Sequence, residues 1–155
     1  MISLTPKTCC ITGHRKLDPS KTEPTKEALR NAIMKAIEDG YTHFISGFAD
    51  GVDLYFAAII VELKEEYNLS LEAALPYRNR INCKNAEFKR LLSQCNAVGV
   101  HSETSNKSCY LNRNCFMVNA SDLVIAVYDG REKGGTAFTI NYAHVMGKEL
   151  RVIHI

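Results

Sequence analysis

No signal for export, membrane insertion or a metal framework stands in this chain. Met1 to Cys10 carries a single Lys and no long apolar run, so it does not read as a secretory leader. The longest apolar stretch, Leu54 to Val61, falls far short of a membrane span. Six cysteines, Cys9, Cys10, Cys83, Cys95, Cys109 and Cys115, contain no CxxC or CxxH spacing. Reduced structural thiols are therefore expected, with no metal site and no cofactor. The expected compartment is the cytoplasm.

Blocks of like charge are missing too. Nineteen basic residues stand against 17 acidic ones, for a formal net charge of +2 and a pI near 8.2. Nucleic-acid domains usually gather Lys and Arg on one face at a higher pI, and neither a basic stripe nor an aromatic platform is visible here. Nucleic acid is therefore not an expected partner, whereas small anions need only local charge. With nine Gly, four Pro and 46% hydrophobic residues, the chain is neither collagen-like, low-complexity nor disordered. At 155 residues, folding should bury roughly 69% of the surface. One domain with one core is expected over residues 1–155.

Short apolar runs alternate with longer segments of helical period, the mark of a βαβ arrangement. Thr8 to Thr12 reads as a buried strand stopping at Gly13. Thr22, Glu23 and Pro24 look like a helix start, with Ala28, Leu29, Ala32, Ile33, Ala36 and Ile37 as its apolar stripe and Gly40 as its stop. A strand over Thr42 to Ser46 follows, then a helix from an Asp50 N-cap to about Tyr67, then a strand over Leu71 to Leu75. Asn85 to Cys95 reads as a helix, Ala97 to Val100 as a strand and Ser102 to Ser108 as a loop. After a helix over Tyr110 to Ala120, Leu123 to Tyr128 is the clearest buried strand. The last pair is a helix from Gly134-Gly135-Thr136 to about Met146, stopped by Gly147, and a strand over Leu150 to Ile155. The expected architecture is α/β: a single Rossmann-like three-layer domain with a mostly parallel sheet of about six strands.

Three of these strands end in glycine-bearing turns: Thr12-Gly13-His14-Arg15, Ser46-Gly47 running to Gly51-Val52-Asp53, and Asp129-Gly130 leading to Gly134-Gly135-Thr136. In a parallel sheet all three fall on one edge, where open α/β sheets bind ligands. Glycines there admit a phosphate to backbone N–H groups, and a helix starting at that point offers its positive dipole end. With no GxGxxG and no GxxxxGK[ST], an ordinary dinucleotide domain and a P-loop ATPase are both disfavoured.

Thr12-Gly13-His14-Arg15, Ser46-Gly47 with Gly51-Val52-Asp53, Arg113-Asn114 with Met117 to Asp122, and Tyr128-Asp129-Gly130 leading to Gly134-Gly135-Thr136 together resemble the SLOG superfamily. That group includes Lonely Guy enzymes, DprA and molybdenum-cofactor carriers. The similarity covers essentially the whole chain and lies nearest the YpsA-like branch of bacteria and phages. It implies a Rossmann-like domain holding a nucleotide or nucleotide-derived ligand, ADP-ribose-like, at the strand carboxyl edge. Gly13, Ser46, Gly47 and Gly51 would shape one cradle, with Asp53 accepting from ribose hydroxyls or capping its helix. Gly134, Gly135 and Thr136 would shape the other. Arg15 and Arg113 are candidate anion contacts, each also readable as a surface Arg. His14 is readable as an acid, a base or a local hydrogen-bonding residue. Tyr77 and Arg78, just past the third strand, are candidates by position. Asp129 is a functional candidate, whereas Asp122 reads as a structural turn residue.

The pattern departs from the enzymatic branch, whose second motif, PGGxGTxxE, ends in a glutamate where this chain has Thr139. A threonine cannot stabilise an oxocarbenium-like transition state as a carboxylate does. The leading expectation is thus a sensor, carrier or sequestering module. The alternative is a phosphoribohydrolase that cleaves the N-glycosidic bond of a nucleoside monophosphate, with Asp53 or Asp129 as the catalytic carboxylate. A homodimer through the apolar second helix fits the resemblance.

Overall fold

The computed structural model describes residues 5–155, so the reading of the first ten residues lies partly outside it. The strands are β1 (Lys7–Thr12), β2 (Tyr41–Ser46), β3 (Ser70–Leu75), β4 (Ala97–Val100), β5 (Leu123–Tyr128) and β6 (Glu149–His154). All five pairings are parallel, in the order β4-β3-β2-β1-β5-β6. A parallel sheet needs cover on both faces. Helices α1 (Pro19–Glu38), α2 (Val52–Leu63) and α3 (Ala86–Ser93) pack successively on one another, while α4 (Cys109–Asn119) packs with α5 (Gly135–Val145). This is the expected three-layer α/β arrangement.

The core follows from the continuous apolar runs of the inner strands. Leu123 to Val127 have no exposed surface, which makes β5 a strand covered on both faces. Phe44 of β2 meets Phe56 of α2 with ring centroids 6.0 Å apart. From β1 the chain steps outward through β2, β3 and β4, then returns to the other side of β1 to lay down β5 and β6. Strand order therefore reverses between β1 and β5. Asp122 pins that junction from below: its carboxylate accepts from the Thr8 N–H at 3.0 Å, and its own N–H donates to the Thr8 carbonyl at 2.8 Å.

Several element ends differ from the sequence reading. Helix α1 starts at Pro19, not near Thr22, because Asp18 is the N-cap, accepting from the Ser20 N–H at 3.0 Å. Pro19 then occupies the first helical position, leaving Pro24 inside the helix. Asp50 does not cap α2. Gly51 holds that position without a side-chain cap, and the helix ends at Leu63, four residues short of Tyr67. A short 3-10 turn at Arg78–Asn82 had no signal in the hydrophobic pattern.

Candidate functional site

At the point where strand order reverses, a cleft of about 570 Å³ opens over the carboxyl ends of β1 and β5. Gly134 and Gly135 form one wall. Gly134 adopts φ +116, a conformation that side chains rarely take, and no side chain caps α5 behind it. The first-turn N–H groups of α5 and its positive dipole end are therefore left to a ligand or solvent. A Cβ built on Gly135 would find its nearest neighbour, Asn114 Nδ2, at 3.7 Å. That space is open.

The opposite wall is the β1 turn. His14 is buried, and its Nε2 accepts from the Asp129 N–H at 3.1 Å while lying 3.3 Å from Asp129 Oδ1. This contact ties the ends of β1 and β5 across the reversal. Burial holds His14 below its ordinary pKa against the opposing pull of Asp129. Asp129 itself is gripped by the Arg131 guanidinium, with Nε at 3.0 Å from both carboxylate oxygens, and is held well below the usual carboxylate range. The Tyr128 hydroxyl donates to the Arg131 carbonyl, folding this turn back on itself.

The floor is set by Arg113. Its place on a partly apolar helix allowed a solvent-facing reading, yet it is 4% exposed. Nη1 donates to the carbonyls of Gly47 at 2.6 Å and Ala74 at 3.1 Å, and Nε donates to Asn114 Oδ1 at 2.9 Å. The guanidinium thereby staples the carboxyl ends of β2 and β3. Asp53 lies buried beside it in the first turn of α2, accepting from the Ala49 N–H at 3.2 Å. Its carboxyl is pushed up to about 6, because burial outweighs the opposing pull of Arg113 first and of Ala49, Arg15 and Arg80 after it. A Cβ on Gly47 would enter between the two, 2.6 Å from Arg113 Nη1 and 2.8 Å from Asp53 Oδ2.

Ser46 organises the turn between β2 and α2, donating to the Asp53 carbonyl and accepting from the Phe48 N–H. Phe48 sits at φ +55 with its side chain fully buried. A bulky residue in the left-handed region is strained, and such strain collects at functional turns. The space before Gly51 is filled by backbone: a Cβ there would meet the carbonyl oxygens of Arg15 at 2.5 Å and His14 at 2.6 Å. Gly13 likewise lies hard against Val52.

Arg15 is exposed, with its guanidinium 4.7 Å over the Tyr110 ring. Among the described residues no carboxylate pairs with it. The structure thus brings Gly13, His14, Arg15, Asp53, Arg113, Gly134, Gly135 and Thr136 around one cleft. Tyr77 and Arg78 do not line it. Tyr77 packs edge-on against Tyr110, and Arg78 makes a two-pronged pair with Glu103 at the surface. Thr139 is buried and donates to the Gly135 carbonyl one turn back.

Arg131, Tyr110 and Arg80 escaped the sequence reading. Arg131 and Tyr110 line the main cleft. Arg80 lines a smaller recess of about 60 Å³, which also takes in Gly47, Asp50 and Pro76 and shares Arg15, Ala49, Tyr110 and Arg113 with the main cleft. Each of the three sits within a stretch whose pattern serves another end, so no local signal marked them. A larger groove, about 840 Å³, lies elsewhere, between α1 and α2. Its rim sets Glu23, Glu27, Glu62 and Glu87 against Lys26 and Arg30, a poor field for an anion. Among the described residues, no helix is long and apolar enough to cross a membrane and no acidic, His or Cys cluster could hold a metal.

Comparison with known proteins agrees with this fold. The YspA SLOG family model matches residues 9–153. A UPF0398 protein of Bacillus cereus strain B4264 is 28% identical over 156 residues, covering 92% of this chain and 85% of its own. One from Ligilactobacillus salivarius is 26% identical over 142 residues, covering 83% and 78%. Among solved structures, DNA processing protein A of Helicobacter pylori, described for its single-stranded DNA binding mode, superimposes with a TM-score of 0.67 at 21% identity. The match covers 96% of this chain but 65% of that one, just under two thirds of its length. The structural-genomics target TM1055 gives a TM-score of 0.61 at 16% identity, covering 93% and 72%. At such identities the likeness is one of fold. The expectation that nucleic acid is not a partner gains no support from a neighbour that binds single-stranded DNA.

Proposed function

The chain belongs to the YspA SLOG family, and from that premise we propose that it binds a nucleotide or a nucleotide-derived, ADP-ribose-like molecule as a sensor, carrier or sequestering module of the cytoplasm. The observation that carries this reading is the cleft at the strand-order reversal, which an uncapped helix N-terminus behind Gly134-Gly135 shares with the guanidinium-bearing Arg15 and Arg113. A phosphate would sit against the α5 N–H groups. The Tyr110 ring, already covered by Arg15, offers a flat face for a base or ribose.

The alternative, hydrolysis of an N-glycosidic bond, has one observation in its favour. Asp53 is a buried carboxyl on the cleft wall with a raised pKa, the condition in which a carboxylic acid serves as a general acid. Asp129 suits that task less, being held ionised by Arg131. Thr139 supplies no replacement for the missing glutamate, since its hydroxyl is spent on its own helix. Binding without turnover is therefore the favoured reading.

The test is to incubate the purified protein with AMP, ATP, NAD and ADP-ribose and to analyse retained and free molecules by mass spectrometry. Intact ligand on the protein, lost in Gly135→Val, is the expected result. The added Cβ makes ordinary contact with Asn114 and no clash, so the fold should survive while the phosphate is kept out. Free base that disappears in Asp53→Ala would establish the hydrolase instead. Normal retention by Gly135→Val would remove the α5 cradle from the site.

A further inference from the structure

The recess beside the main cleft is where the observations reach furthest. Three guanidiniums converge on it, from the β1 turn (Arg15), the turn after β3 (Arg80) and α4 (Arg113). Their carboxylate partners do not match them in number. Arg113 has buried Asp53 nearby, Arg80 lies 3.5 Å from the exposed Asp50, and Arg15 has no carboxylate partner among the described residues. Positive charge is therefore in excess where the walls are formed largely by protein rather than water, a setting that favours an anion.

Arg80 is built into place. Its Nη2 donates to the Phe48 carbonyl at 2.9 Å, and its guanidinium lies 4.8 Å over the buried Phe88 ring. The residue it grips, Phe48, is the one non-glycine residue at positive φ among the described residues. A strained turn clamped by a cation on the edge of a ligand cleft is what a preformed subsite requires. A guanidinium carries five N–H donors, and the contacts with Phe48 and Asp50 leave part of that set for a ligand. The volume, about 60 Å³, equals roughly two water molecules. One tetrahedral oxyanion fits that space.

We propose that this recess is a second anion subsite, in which Arg80 acts with Arg15 and Arg113 on one phosphoryl group while the α5 N-terminus holds another, so that the ligand class is a nucleoside diphosphate or a molecule bridged by pyrophosphate rather than a nucleoside monophosphate. The two sites share Arg15, Ala49, Tyr110 and Arg113, which makes them contiguous, as adjoining phosphoryl groups demand. The proposal rests on the nucleotide reading above and adds the number of phosphates to it.

The experiment measures the affinities of AMP, ADP and inorganic pyrophosphate by calorimetry for the wild type, Arg80→Gln and Asp50→Asn, with thermal melts alongside. Arg80→Gln should weaken ADP by at least about tenfold, the range of one charge-assisted contact, and leave AMP nearly unchanged. Asp50→Asn, at an exposed position where the fold is not at stake, should tighten ADP by about threefold at low salt and not affect AMP. Equal effects on AMP and ADP, or none on either, would overturn the subsite and leave the nucleotide reading standing. If Arg80→Gln does not fold, Asp50→Asn decides, and an unchanged ratio of ADP to AMP affinity overturns the proposal. If the wild type binds neither nucleotide but holds pyrophosphate in a manner weakened by Arg80→Gln, the subsite stands and the nucleotide reading falls. Absence of all three interactions overturns both.

Discussion

Gly51→Ala tests the claim that two turns of the site are locked together before any ligand arrives. Gly51 sits at φ +81 and ψ −126, which an L side chain adopts only at a cost of about 1–3 kcal/mol. A Cβ there would also lie 2.5 Å from the Arg15 carbonyl oxygen and 2.6 Å from that of His14. Backbone oxygens cannot rotate away as a flexible side-chain tip can. The β1 turn must retreat, and with it goes the Val52 N–H to His14 carbonyl bond of 3.2 Å, worth about 0.5–1.5 kcal/mol net. Reduced freedom of the unfolded chain returns about 0.4–1 kcal/mol. The expected loss is about 0.5–4 kcal/mol before the displacement of the β1 turn itself is counted, or a melting temperature lower by about 2–15 °C in a domain of this size. Gly130→Ala is the control, since Gly130 has φ +91 but nothing within 4 Å of its Cβ. It should show the conformational cost alone, about 1–2 kcal/mol. Urea unfolding followed by far-UV circular dichroism measures both. If Gly51→Ala costs no more than Gly130→Ala, with unchanged m-values, the close approach of the two turns is not what fixes them.

Two further outcomes follow from buried ionisable groups. Because Asp53 is pushed up to about 6 from an ordinary 3.8, the folded state holds its proton more tightly than the unfolded chain does, and stability falls as pH rises from about 4 to about 6 and then levels off. Asp53→Asn removes that slope, so its stability relative to wild type should improve by about 2–3 kcal/mol between about pH 4 and pH 8; a difference that stays constant with pH would place the carboxyl in a normal environment. Cys9 and Cys10 have no exposed surface, and burial raises both thiols, Cys10 to about 12. A disulfide-exchange reagent should therefore leave them unmodified in the native protein and reach them only in urea; rapid native labelling of either would contradict the packing of β1.

The sheet was legible because each buried strand is a short apolar run with turn residues at its end, and that signal is local. Leu123 to Tyr128 shows it best: the run, its boundaries and its burial coincide with β5. Helix starts were less legible, since Asp18-Pro19 and Thr22-Glu23-Pro24 are both acceptable start signals and only packing chooses between them. Once Thr25 and Leu29 face the core, the helix must already be under way at Pro24. Asp50 shows the converse. Its side chain is a good cap by type, but the β1 turn occupies the site of approach, and a glycine is required there instead.

The same division runs through the candidate site. The glycine turns and Arg15 announce themselves because they stand at strand ends, and one edge of a parallel sheet gathers all strand ends by topology alone. Arg113, Asp53 and Arg80 act through partners 32 to 66 positions away or through burial: Arg113 on the Gly47 and Ala74 carbonyls, and Arg80 on the Phe48 carbonyl. No spacing rule encodes such contacts, and composition cannot, since these arginines count the same as any on the surface. The resemblance marks Arg113 and Asp53, though not Arg80; what the structure adds is the cost of their placement. A guanidinium 4% exposed, a carboxyl forced towards neutrality and a phenylalanine at positive φ each lower the stability of the fold. All three meet at one edge of one cleft, so the stability given up there is concentrated where an anionic ligand would recover it.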